Sequence, residues 1–252
     1  MAKLTILTCA SGRVPLFANH VKSIGRLPGD CEYCIGFWGD SREHRAILAA
    51  LDWPAAKCAQ VAHDCKWPLP HAYNAALALA TGERLLIVGS DVCLGAGVLD
   101  WAMALPDDAT AWNILVRDSQ TGKRFIAPER KVANPYAQCV PRGLVRGWDV
   151  AFANGVCYDD NDFACRLLIN GVRFRWNFDM EAVHQTHPRY MREERRQLIA
   201  INRAVWLKKL NGYAGPLWPI FWDDNNPPDA PHGDGLPEQD ALAAALEAVG
   251  YV

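Results

Sequence analysis

Arg84-Leu85-Leu86-Ile87-Val88 is a near-continuous apolar run that stops at Gly89-Ser90-Asp91. A run with no polar alternation has no face to offer water, so it reads as a strand covered on both sides. Leu4–Thr8 and Cys31–Phe37 are further β-type runs, with shorter ones at Ala59–Ala62 and Ala109–Val116. Between them, helical spacing is predicted over Val14–Gly25, Arg42–Leu51, His71–Ala80 and Gly97–Leu105, with Gly82 stopping the third. Strands that alternate with helices imply an α/β chain: a mixed, mostly parallel sheet flanked by helices on both faces.

Farther along, Asp118–Pro141 reads as hairpins or a long loop. Asp160–Asn170 reads as a helix, Val172–Phe178 as a strand and Glu193–Leu210 as an amphipathic helix. Six prolines between Gly212 and Glu238 exclude regular structure there, and Asp240–Val249 reads as a final Ala-rich helix. The expected organisation is one α/β domain over 1–211. An acidic Pro-rich tail with a terminal helix, 212–252, is expected to pack on it. No apolar run approaches the ~18–20 residues of a membrane helix. Met1–Ala10 is too short an apolar patch for a secretory signal. The expectation is a cytoplasmic protein with no membrane span. Nine cysteines, an odd number without small-scaffold spacing, argue against a disulfide framework, and Cys31 and Cys34 read as core residues.

The net charge of −2 conceals an asymmetry. Residues 117–146 and 189–209 each carry seven Lys/Arg against two acids, whereas 223–247 carries seven acids and no Lys or Arg. Any one such run is usually a solvated face. Two basic runs in one chain favour an anionic ligand such as a diphosphate or a nucleic acid.

Three places could carry chemistry. Asp91 lies just past the end of a buried strand, where α/β sheets bind ligands, and its carboxylate suits Mg²⁺ or Mn²⁺; a turn-capping Asp is the plainer reading. Tyr158-Asp159-Asp160-Asn161-Asp162 opens a helix. Helix capping explains some of these acids, but three in four positions exceed a cap, and one could serve as a general base. His184-Gln185-Thr186-His187 could hold a metal or a phosphate, although a core or surface His is commoner. No P-loop, Gly-x-Gly-x-x-Gly or Gly-x-Ser-x-Gly sequence is present.

Taken in order, these pieces resemble the family 2 glycosyltransferases, which have the GT-A fold. Lys3–Thr8 resembles the first strand of that family. Asn74-Ala75-Ala76 through Gly82-Glu83 resembles its Asn-x-Ala…Ala-x-Gly-Glu helix, which runs into the strand carrying Asp-x-Asp, here ending at Asp91. Gly147-Trp148-Asp149-Val150-Ala151-Phe152 resembles Gly-Phe-Asp-Glu-x-Phe, and Asp159-Asp160 falls at the Glu-Asp pair. Arg166, Gly171 and His184 follow at offsets similar to the family's. The ordered set spans roughly residues 3–187.

The resemblance implies transfer of a sugar from a nucleotide-diphosphate donor, with a UDP-sugar expected, to an acceptor hydroxyl. It implies Asp160 as the base, with inversion at the anomeric carbon. It implies Asp91 and His184 as ligands of Mn²⁺ or Mg²⁺, and Asp40, Asn74, Asp91 and Arg166 on the donor. Trp148, Asp159, Arg142, Arg146 and His187 are expected on the acceptor side. Gly89 replaces the first Asp of Asp-x-Asp, and Asp159 replaces Glu. A free-standing enzyme with basic acceptor elements also resembles phage enzymes that glycosylate hydroxymethylated pyrimidines in DNA, with Trp38, Trp148 or Trp176 available to stack a base. The acceptor is therefore a glycan or modified DNA. Competing readings are a degenerate nucleotide-sugar-binding module without turnover, and a metal-dependent hydrolase using Asp91, His184 and His187.

Overall fold

A computed structural model describes residues 2–124, 137–187 and 192–210 of the chain. The expected tail over 212–252 lies outside the described residues, as do Arg130 and Lys131 of the first basic run.

The strands are β1 (Leu4–Ala10), β2 (Cys31–Trp38), β3 (Ala56–Val61), β4 (Arg84–Val88), β5 (Val92–Leu94), β6 (Thr110–Asp118), β7 (Ala137–Pro141) and β8 (Arg173–His184). The helices are α1 (Val14–Ile24), α2 (Arg42–Ala49), α3 (Leu69–Leu79), α4 (Val98–Met103), α5 (Asp159–Ile169) and α6 (Arg192–Leu210). One sheet has the order β3-β2-β1-β4-β7-β6-β8-β5. β1, β2, β3 and β4 pair in parallel, as do β6 and β8. β7 runs antiparallel between β4 and β6, and β5 antiparallel to β8. Six strands therefore point the same way, and their C-terminal ends share one edge.

Alternate residues of each central strand enter opposite cores. Leu85 and Ile87 join Leu7, Cys34 and side chains of α3, α5 and α6; Leu86 and Val88 join Leu4, Ile6, Ile35 and side chains of α1, α2 and α4. That is the two-sided burial the Arg84–Val88 run demands. α3 approaches β2 so closely that a Cβ on Gly36 would lie 2.0 Å from the Ala72 carbonyl oxygen. Glu32, buried under the α3–β4 turn, accepts from Thr5 Oγ1 (2.6 Å), Lys57 Nζ (2.6 Å) and the backbone of Thr81 and Gly82. Burial alone would raise its pKa, but Lys57 and these donors outweigh that and hold it at about 2.

Three elements differ from expectation. β7 forms inside the expected loop, because its five residues are completed by partners distant in sequence. β5 has too few residues to show a period. β8 continues past Phe178 to His184: its partners on β6 jump from Asn177 to Glu181 between Ile114 and Leu115, and this bulge interrupts the alternation a sequence reader follows.

Candidate active site

In a doubly wound sheet the ligand crevice opens where successive strands leave in opposite directions. Here that place lies between β1, whose chain continues to β2 on one side, and β4 on the other. β1 leads into Ser11-Gly12-Arg13, where Arg13 takes a left-handed backbone (φ 49°). β4 leads through Gly89-Ser90 to Asp91. Arg13 Nη1 donates to Asp91 Oδ2 at 3.1 Å and lies 3.0 Å from His187 Nε2.

The continuation of β8 brings both histidines to the same carboxylate. His187 Nε2 lies 3.1 Å and His184 Nε2 3.7 Å from Asp91 Oδ2. Gln185 N–H donates to the Asp91 carbonyl, and its side-chain amide binds Asn19 and the Leu16 carbonyl of α1. Thr186 donates to Asp118 at 2.7 Å. The segment is thus held from two sides. Burial pushes the Asp91 carboxyl up, but the His187 bond, with His184 and Arg13, outweighs it and keeps the pKa below its usual value. A Cβ on Gly89 would lie 2.9 Å from Asp91 Oδ1, so a side chain at that position would require the Asp91 carboxylate to turn slightly.

Asp91, His184 and His187 each offer a ligand atom within 4.8 Å of the others. One carboxylate oxygen and two imidazole nitrogens fit Mn²⁺ better than Mg²⁺, which prefers oxygen throughout.

α5 faces the same crevice. Cys9, near the end of β1, has its pKa raised first by burial, and Asp91, Asp159 and Asp160 all add to the effect. The carboxylates therefore gather around one point. Before α5, Cys157 (φ 67°) and Tyr158 (φ 65°) are both left-handed, a strained arrangement for two residues with side chains. Asn202 of α6 holds this turn by donating to the Phe152 and Cys157 carbonyls. Asp162, the third acid, is bound by Arg166 and Lys209, and Lys209 also holds Asp149. No cation among the described residues is paired with Asp159 or Asp160. Burial raises both pKa values, and their mutual repulsion adds to the rise for Asp160. Asp159 is the deeper of the two, while Asp160 is half-buried.

Several expected site residues stand elsewhere. Asn74 clamps one peptide: its Oδ1 accepts from Trp148 N–H at 2.7 Å and its Nδ2 donates to the Trp148 carbonyl at 2.8 Å. One bond at each polar end of the amide thus holds the Trp148 loop. Arg166 binds Asp162 and the Gly147 carbonyl, and likewise serves the fold. Trp148, 5% exposed, is sandwiched between Tyr73 and Phe163 with ring centroids 4.4 Å away on both faces, which leaves no face for a base or sugar. Arg142 donates to Gly82 O and sits beyond β7, at the edge opposite Asp91. Arg146, four residues beyond Arg142, is exposed. His187 joins Asp91 rather than the acceptor side. Asp40 lies past the end of β2 at the site's edge, exposed and paired with Arg42. Trp38 meets Trp67 edge-on, and Trp176 stacks on exposed Phe178.

Arg13 and Gln185 escape sequence reasoning. Only the position of Arg13, immediately after the first strand at the point where the winding reverses, would have marked it.

The sheet order, the crevice between β1 and β4 and the histidine-bearing last long strand define the GT-A fold. S. aureus TarS 1-349 matches with a TM-score of 0.67 and 14% identity, covering 98% of this chain and 80% of that 1-349 segment. Its complex with UDP-GlcNAc gives 0.68. The mannosyltransferase PcManGT from Pyrobaculum calidifontis, in complex with GDP-Man and Mn²⁺, gives 0.62 at 20% identity, covering 98% of this chain and 74% of that one. At these identities the likeness is one of fold. No protein-family model and no curated protein matches the sequence. No helix among the described residues is long and apolar enough to cross a membrane.

Proposed function

We propose that this protein is a glycosyltransferase that takes a sugar from a nucleotide-diphosphate donor. The observation that carries the reading is the convergence of Asp91, His184 and His187 on the crevice between β1 and β4. The UDP-GlcNAc and GDP-Man complexes of proteins with this fold support it. Asp91, His184 and His187 would hold Mn²⁺, which when bound supplies positive charge for the leaving diphosphate. Arg13 touches the same Asp91 and His187 atoms. With Asp91 and His187 holding the ion, the Arg13 guanidinium would turn away from these atoms and be placed to meet a phosphate oxygen. Asp40, past β2, is assigned to the nucleoside.

Asp160 is assigned as the base because it is the more accessible member of a pair that no cation among the described residues neutralises. It accepts the proton of the acceptor hydroxyl. The hydroxyl oxygen bonds to the anomeric carbon as the bond from that carbon to the nucleoside diphosphate breaks, which inverts the configuration. Asp159 behind it raises its proton affinity. The acceptor is assigned as a saccharide. A DNA acceptor would need a continuous basic track, yet among the described residues Arg117 is tied to Glu181 and Arg142 sits at the far edge.

The test is thermal stabilisation by UDP, GDP, CMP and dTDP, each with and without Mn²⁺. A nucleotide at a hundred times its Kd adds about 2.7 kcal/mol. The reading expects a metal-dependent shift with one diphosphate that Asp91→Ala abolishes. Absence of a shift with all four would overturn it. A nucleotide shift without donor turnover would favour the binding-module alternative, and acceptor-independent hydrolysis the hydrolase.

A further inference from the structure

A second group of metal-ligating side chains lies away from Asp91. β3 ends at Val61 and α3 begins at Leu69; the connection carries His63 and Cys65, and the first turn of α3 carries His71. His63, Cys65 and His71 each present a ligand atom, all within 4.8 Å of one another. The two imidazoles stack, with ring centroids 3.8 Å apart at 23°. Cys65 and His71 are half-buried and His63 is exposed, and Cys65 is a free thiol. β3 is the sheet's edge strand, three places from β4. At about 4.8 Å per strand, the group stands well outside the Asp91 cluster.

We propose that His63, Cys65 and His71 form a zinc site that fastens the β3–α3 connection to the first turn of α3.

The donor set selects the metal. A thiolate with two imidazoles suits a borderline-soft ion, whereas Mn²⁺ and Mg²⁺ favour oxygen ligands. The cluster at Asp91 has a carboxylate in place of the thiolate and so admits harder ions such as Mn²⁺ more readily than the Cys65 group does. Zn–N bonds of about 2.0 Å and Zn–S of about 2.3 Å put neighbouring ligand atoms of a tetrahedron about 3.3–3.8 Å apart. Closing the group therefore takes rotation of the exposed His63 ring out of its stack on His71, so that both ring lone pairs face one ion. The Cys65 thiol releases its proton to solvent as the S–Zn bond forms. With three protein ligands, water fills the fourth position.

The location gives the site a consequence. Trp67, two residues beyond Cys65, meets Trp38 edge-on and donates its backbone N–H to the Ala153 carbonyl. Trp38 immediately precedes Gly39-Asp40. Fastening 63–71 thus steadies the wall beside Asp40.

The test uses the untagged full chain and Co²⁺ as a spectroscopic probe, followed by Zn²⁺ competition. Tetrahedral Co²⁺ bound to a thiolate shows a sulfur-to-cobalt charge-transfer band that oxygen and nitrogen ligands do not produce. The expected result is such a band in the wild type and in Asp91→Ala, its displacement by one equivalent of Zn²⁺, and its loss in Cys65→Ser. His71→Ala should weaken Zn²⁺ at least tenfold. In the Asp91→Ala background Zn²⁺ should raise the Tm with Cys65 present but not with Cys65→Ser added, with matched circular dichroism showing that both are folded. A wild type without the band, or a band that survives in Cys65→Ser, overturns the proposal. Neither result bears on nucleotide binding at Asp91.

Discussion

Replacing Asn74 by Ala separates two parts this residue could play. Its amide makes two hydrogen bonds to the Trp148 peptide, at 2.7 and 2.8 Å. Trp148 itself is buried between two rings, so its N–H and C=O find no ready water once the amide is gone. Each lost bond costs about 1 kcal/mol, and each orphaned buried group up to about 3 kcal/mol. The expected loss is about 2–5 kcal/mol, which for a chain of this size is about 2–4 °C of Tm per kcal/mol. Gly147 sharpens the argument. It has φ +87°, and a Cβ there would lie 2.6 Å from Asn74 Oδ1, so Gly147→Ala should break the same clamp. The two substitutions together should cost much less than their sum. The assay is urea unfolding followed by tryptophan fluorescence, with nucleotide Kd measured by calorimetry below the transition. The clamp reading expects a lower midpoint and an unchanged Kd in the folded fraction. An unchanged midpoint with a tenfold weaker nucleotide Kd would refute it and make Asn74 a donor ligand.

Other outcomes follow from the same geometry. Glu32 has a pKa held at about 2, below its unfolded value, so its contribution is complete above about pH 4.5 and is lost as pH falls toward 2. Glu32→Gln should therefore lose stability at pH 7 and match the wild type near pH 2 in denaturant titrations. The proposed base must be ionised, and burial raises its pKa, so turnover should rise with pH along a limb displaced upward from the usual carboxylate range. Asp159→Asn should move that limb to lower pH, and an unmoved limb would separate the pair from the rate. Asp160→Asn should abolish transfer while nucleotide binding, read by calorimetry, persists. Arg13→Gln should tighten Mn²⁺ at Asp91 and weaken the nucleotide; weaker Mn²⁺ would show that Arg13 does not compete for those atoms.

The amino-acid sequence by itself determined the local features. Arg84–Val88 could only be a doubly covered strand, the alternation of apolar runs and helical spacing implied a layered sheet, and Asp91 stood where such a sheet exposes its strand ends. Those are consequences of period and burial, which a linear string carries. The partners of each side chain are not in the string. Asn74, Arg166 and Trp148 sit within family-like motifs, and only the folded chain shows their contacts with Trp148, Asp162, Gly147, Tyr73 and Phe163. Arg142 lies at the far edge because β7 runs against β4, a pairing across more than 50 residues. Arg13 and His187 reach Asp91 from 78 and 96 residues away. Tertiary structure decides such matters because a carboxylate's partners depend on where the chain returns, and the return is set by packing between segments whose own sequences do not refer to one another.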